Sequence, residues 1–155
     1  MTYEMTIKQI PPRHVARVRR HTTMAEIGMA IGDAFETLGA RMHAVDAEPV
    51  GPPFIVYDRV GQPDGRAEFE ACMPVGYSFP GDDEVVVTEI PGVAVAATVH
   101  HGPYEEVGPA YEALNAWIQE QRLVIDGPPR EVYLTDPDST SDPADFVTEI
   151  EIPIR

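Results

Sequence analysis

Two stretches of the sequence repeat one pattern and decide the fold: QIPPRHVARVRRHTTMAEIGMAI at residues 9–31 and EIPGVAVAATVHHGPYEEVGPAY at residues 89–111. Each stretch indicates a strand, a turn, a second strand and the start of a helix. Identical residues recur in them at a shift of 80 positions. The matching pairs are Ile10 and Ile90, Pro11 and Pro91, Val15 and Val95, His21 and His101, Glu26 and Glu106, and Gly28 and Gly108. An internal repeat of this length predicts that one structural unit is used twice.

The repeat continues further along the chain. GPPFIVY at residues 51–57 matches GPPREVY at residues 127–133, and FEACMPV at 69–75 matches TEIEIPI at 148–154. Matches in the same order predict two β-α-β-β units related by a pseudo-twofold axis, within the single domain expected of 155 residues. The two copies cover about residues 1–76 and 83–155. The predicted fold class is α+β, with antiparallel sheets and one long helix in each half.

Eight short strands are predicted from apolar runs bounded by turn residues. They cover residues 4–9, 14–20, 54–59, 67–73, 85–90, 93–100, 130–135 and 146–152. Residues 75–83, which contain two glycines and a proline, are predicted to connect the repeats. Residues 136–145, rich in Asp, Pro, Ser and Thr, are predicted to form an exposed loop.

Each half contains one amphipathic helix, because apolar residues recur there at three- and four-residue steps. The first stripe consists of Met24, Ile27, Ile31, Ala34, Phe35, Leu38 and Met42. Thr23 and Glu26 have the spacing of a capping box at its start. The second stripe consists of Val107, Tyr111, Leu114, Trp117 and Ile118. That helix is predicted to begin near Gly108, since Pro109 is tolerated only in a first turn.

The chain is strongly acidic, with a formal net charge of −15 and Lys8 as its one lysine. Phosphate backbones repel such a chain, so direct binding of nucleic acid is not expected. The acidity either keeps the protein soluble or attracts cationic ligands or a partner's basic surface. No apolar run is long enough to cross a bilayer, and the N-terminal residues do not form a signal peptide. With Cys72 as the one cysteine, a cytoplasmic protein without membrane contact is expected.

Strand parity indicates where the acidic side chains point. Glu131 and Tyr133 share one face of their strand, and Glu149 and Glu151 share one face of theirs. If the intervening apolar residues face the helices, all four side chains line the opposite face. That face is either solvated or encloses a groove with the corresponding residues of the first repeat, Tyr57 and Glu70. Neighbouring carboxylates repel each other without a counter-charge, which favours a groove that receives a cation.

A groove that carries tyrosine rings and carboxylates suits a flat or lipophilic cation. Metal binding is not expected, because adjacent His100 and His101 point to opposite faces and have no further His or Cys at ligand spacing. A hydrogen bond at the strand end is expected for His101 instead. No cofactor is predicted, since the glycines show no phosphate-binding pattern.

The stretch HGPYEEVGPAYEALNAWIQEQRLVIDGPPREVYLTDP at residues 101–137, followed by TEIEIPI, resembles the GyrI-like small-molecule-binding domain family. This family is also known as the effector-binding domain of AraC- and MerR-type regulators. The resemblance covers nearly the whole chain and rests on three motifs: H-x-G-x-Y, G-P-P-x-E-x-Y and the closing T-E-x-x-x-P. It implies a duplicated β-α-β-β unit with a central pocket.

The resemblance also implies roles for individual residues. Glu149 corresponds to the family's pocket carboxylate and Glu131 to a second pocket acid. Tyr111 and Tyr57 fall where the family places aromatic walls. Glu151 stands where relatives often carry an aromatic residue. The regulators of the family carry a DNA-binding domain ahead of this unit, so a first strand beginning close to Met1 leads us to expect a stand-alone member.

Three functions are compatible with these observations. The first is a module that captures or senses a small, cationic or lipophilic compound. The second, which the resemblance implies, is a hydrolase that opens strained rings of genotoxic cyclopropanoid compounds, with Glu149 and either Tyr111 or Tyr133 as the catalytic residues. The third is an acidic protein-interaction module of the gyrase-inhibitory type. No serine or cysteine nucleophile motif supports other hydrolytic chemistry.

Overall fold

The computed structural model describes residues 2–135 and 142–155, and this part of the chain forms eight β-strands and two α-helices. The strands are β1 (Thr6–Ile10), β2 (Arg13–Thr23), β3 (Phe54–Arg59), β4 (Arg66–Val75), β5 (Val85–Ile90), β6 (Val93–His101), β7 (Arg130–Tyr133) and β8 (Val147–Ile154). The helices are α1 (Ile27–Ala44) and α2 (Gly108–Glu120). All strand pairs described below are antiparallel, which confirms the predicted α+β class.

The chain divides into two compact units whose boundaries differ from those of the sequence repeats. The first unit comprises Met1–Pro11 and Gly92–Arg155, and the second comprises Pro12–Pro91. The difference arises at the first strand of each repeat. Strand β1 pairs with β6 of the second repeat, and β5 pairs with β2 of the first repeat. Each unit therefore contains three strands and one helix from one repeat and a single strand from the other.

In the first unit the strand order is β1-β6-β8-β7. Helix α2 packs on one face of this sheet, because its apolar stripe meets the apolar side chains of β6 and β8. Their common core consists of Ala96, Ala110, Leu114, Ile118, Ile150, Ile152 and Ile154. The predicted orientation of Ile150 and Ile152 toward the helix is confirmed. We call this face of the first sheet the α2 face.

In the second unit the strand order is β5-β2-β4-β3, and α1 packs on one face. Leu38 and Ala34 of α1 have no exposed surface. Arg20 of β2 marks the same face, because its guanidinium donates hydrogen bonds to Asp33 and Thr37 of α1 at 3.2 Å each. The repeated G-P-P motif has the same surroundings in both units: a Cβ on Gly51 would lie 3.5 Å from Pro74, and one on Gly127 would lie 3.2 Å from Pro153.

The sequence predicts the start of α2 correctly but not the start of α1. Helix α2 begins at Gly108 with Pro109 in its first turn, as predicted. The prediction that Thr23 and Glu26 form a capping box is wrong, because β2 extends to Thr23 and no side chain caps α1. The Glu26 amide instead donates to the Thr23 carbonyl at 3.0 Å, and Met24 is 43% exposed in this turn, outside the buried stripe. Neither helix of the described residues has the length and apolarity needed to span a membrane.

The predicted loop at residues 136–145 lies largely outside the described residues. Within the described part, Pro143–Asp145 forms a short 3-10 helix. The Asp142 carboxylate accepts a hydrogen bond from the Ala144 amide at 3.0 Å. This cap leads the chain into β8, which starts two residues after the 3-10 helix.

Candidate functional site

The register between β7 and β8 separates the predicted acidic residues into two groups. Glu131 lies opposite Ile150, whereas Val132 lies opposite Glu149. Residues directly opposite each other in an antiparallel pair project from the same face of the sheet. Glu131 and Tyr133 are therefore on the α2 face, while Glu149 and Glu151 are on the other face.

The prediction that all four side chains share one face was wrong. Strand parity correctly gives the alternation within each strand, but it carries no information about how two strands are aligned. A shift of one residue between strands moves every side chain to the other face. The alternative, that the acidic residues are solvated, is also wrong, because Glu131, Glu149 and Glu151 are only 8%, 7% and 5% exposed.

Glu131 is held by tyrosines from two elements. The hydroxyl of Tyr111 on α2 donates to Glu131 Oε2 at 2.6 Å. The hydroxyl of Tyr133, two residues along β7, donates to Glu131 Oε1 at 3.3 Å. Tyr111 can reach the carboxylate because it lies in the first turn of α2, above the face to which Glu131 points. Hydroxyl donors of this kind stabilise the charged form of a carboxylate.

Two further aromatic rings adjoin these tyrosines. Tyr104 meets Tyr133 edge to face with ring centroids 5.3 Å apart, and it stacks on Phe146 with centroids 4.9 Å apart. Burial raises the pKa of the Tyr104 phenol above its ordinary value, so this ring remains neutral at physiological pH. We call Glu131, Tyr104, Tyr111, Tyr133 and Phe146 the Glu131 cluster.

A glycine turn places Tyr104 in this cluster. Gly102 has φ of +125°, a conformation that side chains disfavour, and it turns the chain from β6 into the short 3-10 helix Tyr104–Glu106. The Gly102 amide donates to the Phe146 carbonyl at 2.8 Å, which fixes the two aromatic residues near each other. Tyr104 and Phe146 were not among the predicted site residues. Tyr104 is the tyrosine of the H-x-G-x-Y motif, so the sequence did contain a signal for it.

The second acidic group lies on the face of the first sheet away from α2. Glu149 Oε1 accepts a hydrogen bond from the Lys8 ammonium at 2.5 Å. Glu151 has its pKa raised to about 7, mainly by burial and then by the charge of Glu149 and a hydrogen bond with it, against weaker opposing effects of Arg130 and Lys8. Glu151 therefore retains its proton up to about neutral pH. We call Glu149 and Glu151 the Glu149 pair.

The corresponding residues of the second unit show the same separation of faces. Tyr57 lies opposite Phe69, which lies opposite Arg20, so Tyr57 is on the face that carries α1. Glu70 is on the other face and forms salt bridges with Arg17 at 3.2 Å and Arg19 at 4.0 Å. The role of Tyr57 in a groove between the repeats stays a prediction.

The buried histidine is His100, not His101. His100 is 2% exposed, and its Nε2 lies 3.0 Å from the Pro103 carbonyl oxygen. His101 at the strand end is exposed, so the hydrogen bond expected for it was assigned to the wrong residue. Among residues 2–135 and 142–155, no three His, Cys, Asp or Glu side chains converge in a way that could hold a metal ion.

The duplicated α+β fold, with a buried carboxylate among aromatic rings, is that of a small-molecule-binding domain. The model of the family described as "GyrI-like small molecule binding domain" matches residues 3–155. The chain therefore belongs to the GyrI-like family, as the motifs predict. A comparison with curated proteins gives no match.

Solved structures share this fold at low sequence identity. The EcmrR C-terminal domain is 23% identical with a TM-score of 0.85, and the alignment covers 100% of this chain and 99% of that one. EcmrR in a DNA complex is 20% identical with a TM-score of 0.87, covering 99% of this chain. The present chain spans only 57% of that EcmrR chain.

Two structures of lower sequence identity are a protein with a bound lipophilic cation and a hydrolase. SAV2435 bound to tetraphenylphosphonium is 13% identical, with a TM-score of 0.66 and coverage of 98% of this chain and 94% of that chain. A hydrolase from Listeria innocua is also 13% identical, with a TM-score of 0.68 and coverage of 98% and 92%. At this identity the likeness establishes the fold alone.

Proposed function

We propose that this domain binds a small lipophilic cation at the Glu131 cluster. The observation that carries the proposal is the buried Glu131 carboxylate, which accepts hydrogen bonds from the hydroxyls of Tyr111 and Tyr133. The Tyr133 ring in turn packs against Tyr104, which stacks on Phe146. A carboxylate away from water favours a positive partner, and aromatic faces attract cations through their quadrupole. The apolar part of such a ligand would pack against the same rings.

Two further observations support a cationic ligand. The net charge of −15 attracts cations over a long range at low ionic strength. SAV2435, which has the same fold, is described as bound to tetraphenylphosphonium, a lipophilic cation. The chain would then act as a binding or sensing module, with the ligand-recognition role of an effector domain.

We predict that Glu131→Gln weakens binding of tetraphenylphosphonium at least about tenfold, which corresponds to ~1.4 kcal/mol. Glutamine keeps the size and the hydrogen-bond acceptor but removes the negative charge. Isothermal titration calorimetry measures the effect, with Glu112→Gln on the exposed side of α2 as a matched control. Neutral triphenylphosphine oxide should bind the wild type and Glu131→Gln with equal affinity. An unchanged affinity of Glu131→Gln for the cation would exclude this site.

Ring-opening hydrolysis is a second candidate, favoured by the 2.6 Å hydrogen bond between Tyr111 and Glu131. The pair expected from the resemblance, Glu149 and Tyr111, is not assembled, because Glu149 lies on the face away from α2. In the pair that is assembled, the Glu131 carboxylate would take a proton from an attacking water. The hydroxide adds to one ring carbon, the strained C–C bond breaks, and the other carbon accepts a proton from the Tyr111 hydroxyl. The proton held by Glu131 then returns to the Tyr111 oxygen along their hydrogen bond.

If the domain is such a hydrolase, incubation with a cyclopropane-containing alkylating compound gives a product heavier by one water. Mass spectrometry detects this product. Tyr111→Phe is expected to reduce its rate of formation by a factor of roughly a hundred, the lower range for general acid–base catalysis. Rates equal to the uncatalysed background for the unmodified protein would eliminate this candidate and leave the binding proposal intact.

A further inference from the structure

The motif H-x-G-x-Y contains a buried histidine that does not belong to the Glu131 cluster. In this chain the motif consists of His100, Gly102 and Tyr104, and His100 is 2% exposed near the end of β6. Tyr104 belongs to the cluster, and Gly102 provides the turn that brings it there. A buried imidazole carries two ring nitrogens, and each of them needs a polar partner.

One ring nitrogen of His100 binds the turn itself. Its Nε2 lies 3.0 Å from the carbonyl oxygen of Pro103, the residue directly before Tyr104. Because a carbonyl oxygen can only accept, Nε2 carries the hydrogen of this bond. The same carbonyl also accepts from the Glu106 amide at 3.0 Å, where the short 3-10 helix begins. His100 therefore fixes the peptide bond that joins Pro103 to Tyr104.

The other ring nitrogen is supported by the segment that precedes β1. With Nε2 as the donor, Nδ1 can accept, and the Tyr3 hydroxyl lies 3.5 Å from it. The two ring centroids are 6.5 Å apart, and Tyr3 packs against the core under α2. A second contact holds the same segment, because the Thr98 hydroxyl donates to the Glu4 carbonyl at 2.8 Å. The N-terminal segment therefore stabilises the orientation of the histidine ring.

A direct path of side-chain hydrogen bonds from His100 to the Glu131 cluster is interrupted. His100 on β6, Thr148 on β8 and Tyr133 on β7 lie side by side on the α2 face. Thr148 has no exposed surface, yet its hydroxyl makes no hydrogen bond with any of the described residues. The connection between the histidine and the cluster therefore runs through the Pro103 carbonyl and the backbone of the turn.

The other repeat has a different residue at the position of the histidine. At the shift of 80, Arg20 corresponds to His100 and Met24 corresponds to Tyr104. The Arg20 guanidinium binds side chains of α1, and β2 continues to Thr23 instead of turning earlier. Met24 is 43% exposed. This position contacts an aromatic cluster in the repeat that has histidine, and it faces solvent in the repeat that has arginine.

We propose that His100 is a positioning residue of the ligand site and that Tyr3 supports it, so that the N-terminal segment contributes to binding without touching the ligand. This role rests on the function proposed for the Glu131 cluster. His100 holds the Pro103 carbonyl, the carbonyl sets the direction of Tyr104, and Tyr104 presents its ring to the cation. Removal of the histidine should release this ring while Glu131 keeps its own two hydrogen bonds.

Two substitutions of His100 separate positioning from packing. The amide nitrogen of glutamine reaches the place of Nε2, so His100→Gln keeps a donor for Pro103, whereas the shorter His100→Asn loses it. We expect His100→Asn to weaken binding of tetraphenylphosphonium about tenfold, and His100→Gln to weaken it by less than about threefold. Tyr3→Phe should weaken binding about twofold to threefold. His101→Asn, at the exposed neighbouring position, is the control and should bind like the wild type.

Two further measurements connect the effect to Tyr104. In a Tyr104→Ala background, His100→Asn should cause no further loss of affinity, because the ring through which it acts is absent. Without ligand, hydrogen exchange followed by NMR reports on the turn, since the Gly102 amide donates to the Phe146 carbonyl. This amide should exchange faster in His100→Asn but not in His100→Gln. A purely structural role of the histidine would not distinguish the two variants in this way.

Three results would overturn the proposal: equal affinities of His100→Asn and the wild type, additive losses in the Tyr104→Ala background, or equal losses in His100→Asn and His100→Gln. If His100→Asn does not fold, as judged by circular dichroism, Tyr3→Phe decides. Reduced affinity together with faster exchange of the Gly102 amide then supports the positioning role, and anything less refutes it. If the wild type does not bind tetraphenylphosphonium, the proposed function fails, whereas exchange of the Gly102 amide still tests whether His100 positions the turn.

Discussion

Between pH 5 and pH 8, Glu151 is expected to lower the free energy of unfolding of the wild type by about 2–3 kcal/mol, since each unit of pKa difference corresponds to ~1.4 kcal/mol and part of the effect is already lost at pH 5. The pKa of Glu151 is about 7 in the folded protein, against a model value of 4.5. Between these two values the folded state binds more protons than the unfolded state. The stabilisation is therefore complete below about pH 4.5 and is lost as the pH rises through about 7.

Glu151→Gln tests this expectation, because glutamine imitates the protonated carboxyl group at every pH. Urea unfolding at several pH values should give a stability difference, mutant minus wild type, that is more favourable at pH 8 than at pH 5 by about 2–3 kcal/mol. Glu112→Gln, an exposed glutamate on α2, is the control and should follow the wild-type curve. Parallel curves for Glu151→Gln and the wild type would mean that Glu151 is already ionised at pH 5.

Leu114→Ala is expected to lower the free energy of unfolding by ~2–5 kcal/mol, because it creates a cavity in a packed core. Leu114 has no exposed surface and lies among Ala96, Ile150 and Ile152 between α2 and its sheet. Helix α2 also carries Tyr111, so a shift of the helix should weaken any ligand held at the Glu131 cluster. Thermal and urea unfolding measure the stability.

The control for this substitution lies on the same helix. Glu112→Ala changes an exposed position of α2 and should alter stability by less than about 0.5 kcal/mol. A loss below ~1 kcal/mol for Leu114→Ala would contradict the packing described for α2. A large loss of stability together with unchanged affinity for tetraphenylphosphonium would separate the helix packing from the Glu131 cluster.

Much of the fold could be predicted because its signals are local. Strands β3 and β5 match their predicted residues, 54–59 and 85–90, and α2 begins at the predicted Gly108. Apolar periodicity, proline and glycine act over a few residues, so a single sequence contains them in full. The start of α1 was mispredicted because continued pairing of β2 with β4 as far as Thr23 outweighed the local capping signal.

The site was predicted less completely, for a different reason. The sequence identified the polar residues Glu131, Tyr111 and Tyr133, which the structure brings together, and Glu149 and Glu151, which form a separate pair. It did not provide the aromatic stack of Tyr104 and Phe146, because those residues are far apart in the chain and meet through one backbone hydrogen bond at Gly102.

The sequence by itself determined the class of the fold, its internal duplication and the approximate positions of the helices and strands. Within each strand it also determined which residues share a face. Only the tertiary structure decided which faces of different strands coincide. The physical reason is that alternation is a property of one chain segment, whereas register depends on interactions between segments. Pairing of Glu131 with Ile150 rather than Glu149 divides the acidic residues into two groups on opposite faces of one sheet.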